Sequence, residues 1–171
     1  MTTSETNGGL ARLTRLTAGE LISGEVTVLQ STATMHQAAC KFAEFSIGLA
    51  PVVDEAGHCI GVLSARDFLT YEIERTREAT PPKCKPSNKP ADGEYLLPWD
   101  SVLRFMSTAV QTAPFYESLR RIGEVMLAEH IHHLIVLDER AVPIGVVSTL
   151  DVISALIAIC DEQNALMVDR R

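Results

Sequence analysis

Three features are missing from the sequence, and each absence removes a class of function. No stretch comes near the roughly 18 apolar residues that a membrane span needs. The opening MTTSETNGGLARLTRL has no charged segment leading into an apolar one, so no membrane role and a cytoplasmic location are expected. No C-x-x-C pair occurs: Cys40, Cys59, Cys84 and Cys160 stand far apart, which speaks against a structural zinc or a redox dithiol. All four are expected to be reduced, with Cys40, Cys59 and Cys160 as packing residues and Cys84 exposed in a polar loop. Nor is there an excess of positive charge. With 15 Lys and Arg against 22 Asp and Glu, the net charge is -7, and a surface built to neutralise a nucleic-acid backbone is excluded. A small anion held by a few local donors is compatible with it.

What the sequence does contain is a repeat. Sliding it by 84 residues aligns Leu16–Leu69 with Asp100–Ile153 without a gap, and 11 of 54 positions are identical, against roughly three or four expected from average composition. Seven of the identities pair DEAGHCIGVLSARD (Asp54–Asp67) with DERAVPIGVVSTLD (Asp138–Asp151). The apolar pattern repeats too. Met35, Ala38, Ala39, Phe42 and Ala43 have the spacing of a helix face, and Leu119, Ile122, Gly123, Met126 and Leu127 fill the same slots one period later.

After each predicted helix come two short apolar runs around a polar turn, APVVD and CIGVLS, then LIVLD and PIGVVS, the pattern of a buried β-hairpin. A second helix follows each hairpin, and a short strand, Val26–Leu29 or Val110–Ala113, precedes each first helix. The fold class expected is α/β (α+β), two β-α-β-β-α units. A unit of this size buries too little apolar surface alone, so the two are expected to pack sheet against sheet as a pseudo-two-fold pair. The boundaries predicted are a tail at 1–15, unit one at 16–79, a connector at 80–99 and unit two at 100–171. The connector is expected to be exposed, because Pro81, Pro82, Pro86, Pro90 and Pro98 break helix and sheet alike. Tyr95, Leu96, Leu97 and Trp99 at its end are candidates to dock on the body or on a partner.

The most faithfully repeated residues are Gly61-Val-Leu-Ser64-x-x-Asp67 and Gly145-Val-Val-Ser148-x-x-Asp151. Two readings stand side by side. Ser-x-x-Asp at a strand-to-helix junction is close to a helix capping box. Equally, a glycine lets another group approach the backbone, a helix start offers N–H donors to an anion, and an acidic residue there can accept both hydroxyls of a ribose.

These motifs, in the doubled order APVVDEAGHCIGVLSARDF and SVLRFMS with LIVLDERAVPIGVVSTLDV, resemble the tandem cystathionine-β-synthase (CBS) domain pair, or Bateman module. The resemblance covers most of the chain outside the tail and connector. It implies a non-catalytic regulatory module that senses adenosine ligands (AMP, ADP, ATP, sometimes S-adenosylmethionine or NAD) in clefts between the two units, with no required cofactor. It implies Asp67 and Asp151 as ribose ligands and Ser64 and Ser148 as phosphate or ribose contacts. Ile22, Val28, Val62, Met106 and Val146 would sandwich the base. It also implies a homodimer and a regulated partner protein. The sequence departs from the family pattern at Ile135, where proline is common, and at GELIS in place of DVMS. Arg66 in copy one faces Leu150 in copy two, so the two sites are electrostatically unequal.

His130, His132 and His133 are what copy two adds, since their equivalents are Ser46, Gly48 and Leu49. If the stretch entered a strand, His130 and His132 would share a face and His133 the other. No acidic or Cys residue completes a zinc site at a standard spacing, and the G-x-S-x-G nucleophile turn is absent, so neither metal nor catalysis is expected. His132-His133-Leu134-Ile135-Val136 resembles the HRLPV of nucleotide-sensing kinase γ subunits in this family, energy-responsive proteins, with His133 in the slot of a phosphate-binding arginine. That implies a weaker, pH-sensitive phosphate contact. The rival readings are a ligand-free interaction scaffold, in which Ser and Asp only cap helices, and a metal-dependent enzyme.

Overall fold

The computed structural model of the chain describes residues 12–22, 24–78 and 98–168. The tail before residue 12 and connector residues 80–97, with Cys84, Tyr95, Leu96 and Leu97, lie outside the described residues. In chain order the elements are α1 (Ala18–Leu21), β1 (Leu29–Gln30), α2 (Met35–Phe45), β2 (Leu49–Val53), β3 (Cys59–Ser64), α3 (Ala65–Glu78), α4 (Val102–Phe105), β4 (Thr112–Pro114), α5 (Leu119–Ala128), β5 (His133–Leu137), β6 (Pro143–Ser148) and α6 (Thr149–Val168). The predicted β-α-β-β-α order is present twice, each copy preceded by a short helix that periodicity did not reveal.

The two copies begin and end their elements in similar ways. Thr34 caps α2, its hydroxyl accepting from the Gln37 amide at 3.2 Å while Gln37 Oε1 accepts from the Thr34 amide at 2.9 Å. Ser118 caps α5 by accepting from the Arg121 amide at 3.3 Å. Both helices end on a left-handed residue, Ser46 at φ 52° and His130 at φ 53°, and the next amide turns back, Ile47 N to Phe42 O at 3.1 Å and Ile131 N to Met126 O at 3.0 Å. This is a Schellman-type stop. Each hairpin loop is tied by one carboxylate oxygen: Asp54 Oδ1 accepts from the amides of Ala56 and His58, and Asp138 Oδ1 from those of Arg140 and Val142, all at 2.8–2.9 Å.

Each unit holds a three-stranded sheet, ordered β1-β2-β3 or β4-β5-β6, in which the first pair is parallel and the second antiparallel. Irregularities in pairing fall at Val52/Val53 and at the equivalent Val136/Leu137. The opening strands lie later than Val26–Leu29 and Val110–Ala113, because parallel pairing fixes Leu29 opposite Val52 and Thr112 opposite Ile135. The apolar helix stripes are narrower than predicted. Met35, Ala38 and Phe42, like Leu119, Ile122 and Met126, are buried, whereas Ala39, Ala43 and Leu127 are exposed, since each helix meets its sheet along one i, i+3, i+7 line. Cys40 and Cys160 are also exposed rather than packing residues, each on the outer side of its helix, and Cys59 is half-buried.

The compact units do not follow the repeat boundaries. One consists of Thr27–Val110 and the other of Met1–Val26 with Gln111–Arg171. Ala18 and Leu21 of α1 are buried among Leu119, Ile122, Met126 and Leu134 of the second copy, and Val102 of α4 among Leu29, Met35, Phe42 and Leu63 of the first. The cause is the pairing of helix starts. The first amide of each helix has no partner inside it, and here each donates across: Ala18 N to Glu117 O and Leu119 N to Leu16 O, both 2.8 Å, in one unit. Met35 N to Asp100 O at 2.7 Å and Val102 N to Ala33 O at 3.1 Å do the same in the other. Trp99, at the end of the connector, docks on the body by stacking on Tyr71 of α3 with ring centroids 5.6 Å apart.

The hairpin loops differ at one backbone position. Gly57 has φ +87° and its equivalent Ala141 has φ 61°, a left-handed conformation that costs a residue with a Cβ about 1 kcal/mol or more. Ala141→Gly is therefore expected to stabilise the protein by about 0.5–1 kcal/mol; a melting temperature that does not rise refutes this.

Candidate functional site

At each strand-to-helix junction the serine and the aspartate are locked together. Asp67 Oδ2 accepts from the Ser64 amide at 2.6 Å and from its hydroxyl at 2.7 Å. Asp151 Oδ2 accepts from the Ser148 amide at 2.7 Å and from its hydroxyl at 2.6 Å, and Ser148 Oγ accepts from the Asp151 amide at 3.2 Å. The aspartate thus caps in both copies, reciprocally only in the second, and a half-buried carboxylate is held in one place at each helix N-terminus, where the dipole favours negative charge. The junction is fixed from the other side as well. The first amide of α3 donates to Gly48 O, and that of α6 to His132 O, both at 2.9 Å. These two acceptors went unremarked in the sequence; the need of a helix's first amide for a partner was the available signal.

Alternation along the final strand sorts its residues. In β3 Leu63 goes into the core while Val62 and Ser64, on the other side of the pleat, are half-buried; in β6 Val147 is buried and Val146 and Ser148 are half-buried. Cross-strand register places Leu49 opposite Ser64 and His133 opposite Ser148, so in the second copy an imidazole shares the face of the serine. Val28, half-buried ahead of β1, gives its carbonyl to Lys41 Nζ at 3.0 Å. Arg66 is exposed in the first turn of α3, as is Leu150 in that of α6.

The glycines of the motif do receive a close neighbour, and it comes from the chain itself. A Cβ on Gly61 would overlap the Met106 sulfur and stand 3.0 Å from Ser107 O; one on Gly145 would lie 2.5 Å from Ile22 Cδ1. The segment over Gly61 is held by two hydrogen bonds of 2.9 Å, Val62 N to Ser107 O and Ser107 N to Val62 O. Ile22 and Met106, which the resemblance implied as base contacts, thus each lie against the glycine of the other copy's motif.

The histidines separate by backbone position. His130 is the left-handed residue that ends α5 and His132 lies in the bend before β5, so neither is in the strand, and only His133 begins it. The alternation imagined for a strand fails because the helix stop occupies those residues. Among the described residues no group of three or more His, Cys, Asp or Glu is arranged to hold a metal ion.

The twice-built unit can be set beside known proteins at this point. The CBS domain profile matches residues 18–74 and again 101–158. The chain belongs to the CBS domain family. Solved CBS domain pairs share the fold. CBSX2 in complex with AMP is 17% identical, with 84% of this chain and 97% of that one covered and a TM-score of 0.65. A CBS domain protein from Pyrobaculum aerophilum complexed with AMP is 20% identical, with 85% and 99% covered and a TM-score of 0.64. The CBS domain pair of protein MJ0100, in complex with 5′-methylthioadenosine and S-adenosyl-L-methionine, is 19% identical, with 84% and 96% covered and a TM-score of 0.64. No curated protein matches the chain. The two CBS matches run along the repeats and so cut across both compact units. No helix among the described residues is long and apolar enough to cross a membrane.

Opposite its serine, the junction of the second copy carries a titratable group where the first has Leu49. Burial of the ring lowers the His133 pKa below the ordinary histidine value, the nearby His132 lowers it further, and the Asp151 carboxylate opposes both. The folded state thus favours the neutral ring, while the unfolded chain takes up its proton near pH ~6.5. Below that pH the unfolded state binds more protons and stability falls as pH falls. Thermal melts of His133→Leu should show a shallower loss of stability than wild type between about pH 7 and 5; identical slopes would remove His133 from this role.

Proposed function

We propose that this CBS pair is a non-catalytic regulatory module that binds adenosine nucleotides (AMP, ADP or ATP) at its two Ser–Asp junctions, acts as a homodimer in the cytoplasm, and relays nucleotide level, as in energy sensing, to a regulated protein. The observation that carries this reading is the doubled junction. A carboxylate is held in place at a helix start in both units, in a fold shared with proteins solved with AMP or with 5′-methylthioadenosine and S-adenosylmethionine. A ribose presents two adjacent hydroxyl donors, and Asp67 or Asp151 is an acceptor already oriented by its cap. The half-buried Val62 and Met106 in one unit, Ile22 and Val146 in the other, and Val28 are the apolar surfaces offered to the base. Phosphate is assigned to His133 beside Ser148 in one unit and to Arg66 in the first turn of α3 in the other. The homodimer rests on the apolar side chains that α3 and α6 leave exposed.

A scaffold reading is favoured by one specific observation: serine and aspartate already satisfy one another, so each junction also makes sense as a cap alone. The two readings separate in a calorimeter. Titration with AMP, ADP, ATP and S-adenosylmethionine should give saturable binding of at least one of them. Asp67→Ala and Asp151→Ala should each weaken it about tenfold or more beyond a stability loss of about 1 kcal/mol from the cap. Binding of none of the four leaves the scaffold.

The His133 assignment has a test of its own. Phosphate beside the ring favours the imidazolium, so binding takes up a proton and tightens as pH falls. Calorimetry in two buffers of different ionisation enthalpy should report that uptake for wild type and its loss in His133→Leu; equal uptake in both proteins refutes the contact.

A further inference from the structure

Both glycines of the repeated motif are covered by a side chain that comes from the other repeat, but the two covers differ in chemistry. Over Gly145 lies the hydrocarbon of Ile22, and over Gly61 the thioether of Met106, whose sulfur fills the volume that the missing Cβ leaves open. Aliphatic carbon at such a place is inert. A thioether is open to oxidation, which turns a flexible apolar side chain into a polar one.

Accessibility separates Met106 from the methionines of the core. Met35 and Met126 keep 0% and 7% of their surface, whereas Met106 is half-buried at the margin of the cluster that holds Leu29, Met35 and Leu63. A small oxidant therefore meets Met106 first, at a residue against which the unit packs.

The surroundings decide what oxidation does. A sulfoxide oxygen is an acceptor that needs a donor or water, and burial without one is costly. Beside Gly61 the amides of Val62 and Ser107 are already committed, each to the other's carbonyl at 2.9 Å, and Gly61 has no side chain to donate. The oxidised side chain is better solvated away from the glycine. Its departure uncovers Gly61 and loosens the two bonds that hold the segment above it.

We propose that Met106 is an oxidation site, so that the junction of Ser64 and Asp67 responds to peroxide while that of Ser148 and Asp151, covered by Ile22, does not. With hydrogen peroxide as oxidant, a sulfur lone pair attacks one peroxide oxygen. An S–O bond forms as the O–O bond breaks, and water leaves; sulfur gives up two electrons and the peroxide takes them. The effect on ligand rests on the nucleotide reading given above, and the modification does not.

The test uses the full chain, treated with hydrogen peroxide, returned to dithiothreitol to reverse thiol oxidation, and mapped by mass spectrometry. Met106 should be oxidised before Met35 and Met126. The oxidised protein should melt lower by roughly 3 °C or more, a shift that methionine sulfoxide reductase reverses. Met106→Leu, a volume-conserving change, should lack this shift after the same treatment, and so should Met106→Ile, which supplies the side chain found over Gly145. In Asp151→Ala, where the first-copy junction is left to bind, peroxide should weaken the nucleotide that wild type binds among AMP, ADP and ATP by about tenfold, and the reductase should restore it. Oxidation of Met35 or Met126 ahead of Met106, or a melt lowered equally in wild type and in both variants, overturns the oxidation site. Unchanged nucleotide affinity in Asp151→Ala once Met106 is oxidised overturns its control of the junction. A Met106-dependent melting shift in a protein that binds none of the nucleotides upholds the oxidation site and counts against the nucleotide reading alone.

Discussion

Two helix starts facing one another, with each first amide donating to the carbonyl that precedes the other's cap, are the contact on which both units depend. The bonds are Ala18 N to Glu117 O and Leu119 N to Leu16 O in one unit, and Met35 N to Asp100 O and Val102 N to Ala33 O in the other. They satisfy donors that would otherwise be lost where α1 and α4 are buried; Val102 and Ala18 have no exposed surface at all. Everything downstream in space follows from them. With α1 fixed on α5, Ile22 is delivered to the gap at Gly145; with α4 fixed on α2, Met106 is delivered to the gap at Gly61. Each Ser–Asp junction is therefore completed by a segment that belongs, in sequence, to the other repeat.

The junction combines two demands that compete in other settings. A helix N-terminus needs a carboxylate as a cap, and a ribose needs one as an acceptor. Here the cap is made through Oδ2 in both units, and a carboxylate has acceptor capacity beyond the two bonds it receives there. The cap thus orients the acceptor at no cost to its chemistry, and lost rotamer freedom is settled on folding rather than on binding. Capping and ligand binding are for this reason compatible uses of the same two side chains. The bonds within the cap do not compete with the proposed function.

The halves that repeat and the halves that diverge follow physical lines. The hairpins and the core side of each first helix were legible because they depend on local rules: short apolar runs around a polar turn, and an apolar stripe at helical spacing, of which the i, i+3, i+7 line is the buried part. The segment exchange was not legible. The residues around Ser101 and Thr17 carry cap chemistry that would suit pairing with either repeat, and nothing local distinguishes the choice. Similarly, LIVLD was readable as a strand, but the placement of His130 and His132 was not. A left-handed helix stop competes with strand extension, and Ser and His, unlike Gly, do not announce it.

The same logic explains why the sites are equal in architecture and unequal in chemistry. Positions 46 and 130 share a backbone conformation, so their side chains are free to differ without cost to the fold; Leu49 and His133 share a cross-strand slot opposite a serine, and there the difference faces the site. A leucine at that slot places no titratable group opposite Ser64. An imidazole there has its pKa lowered by partial burial and is close enough to Asp151 to feel its charge. An anion approaching Ser148 would then shift the balance of these two influences toward the protonated ring. The two copies share one frame, and His133 differs from Leu49 at a position where that frame accepts either side chain.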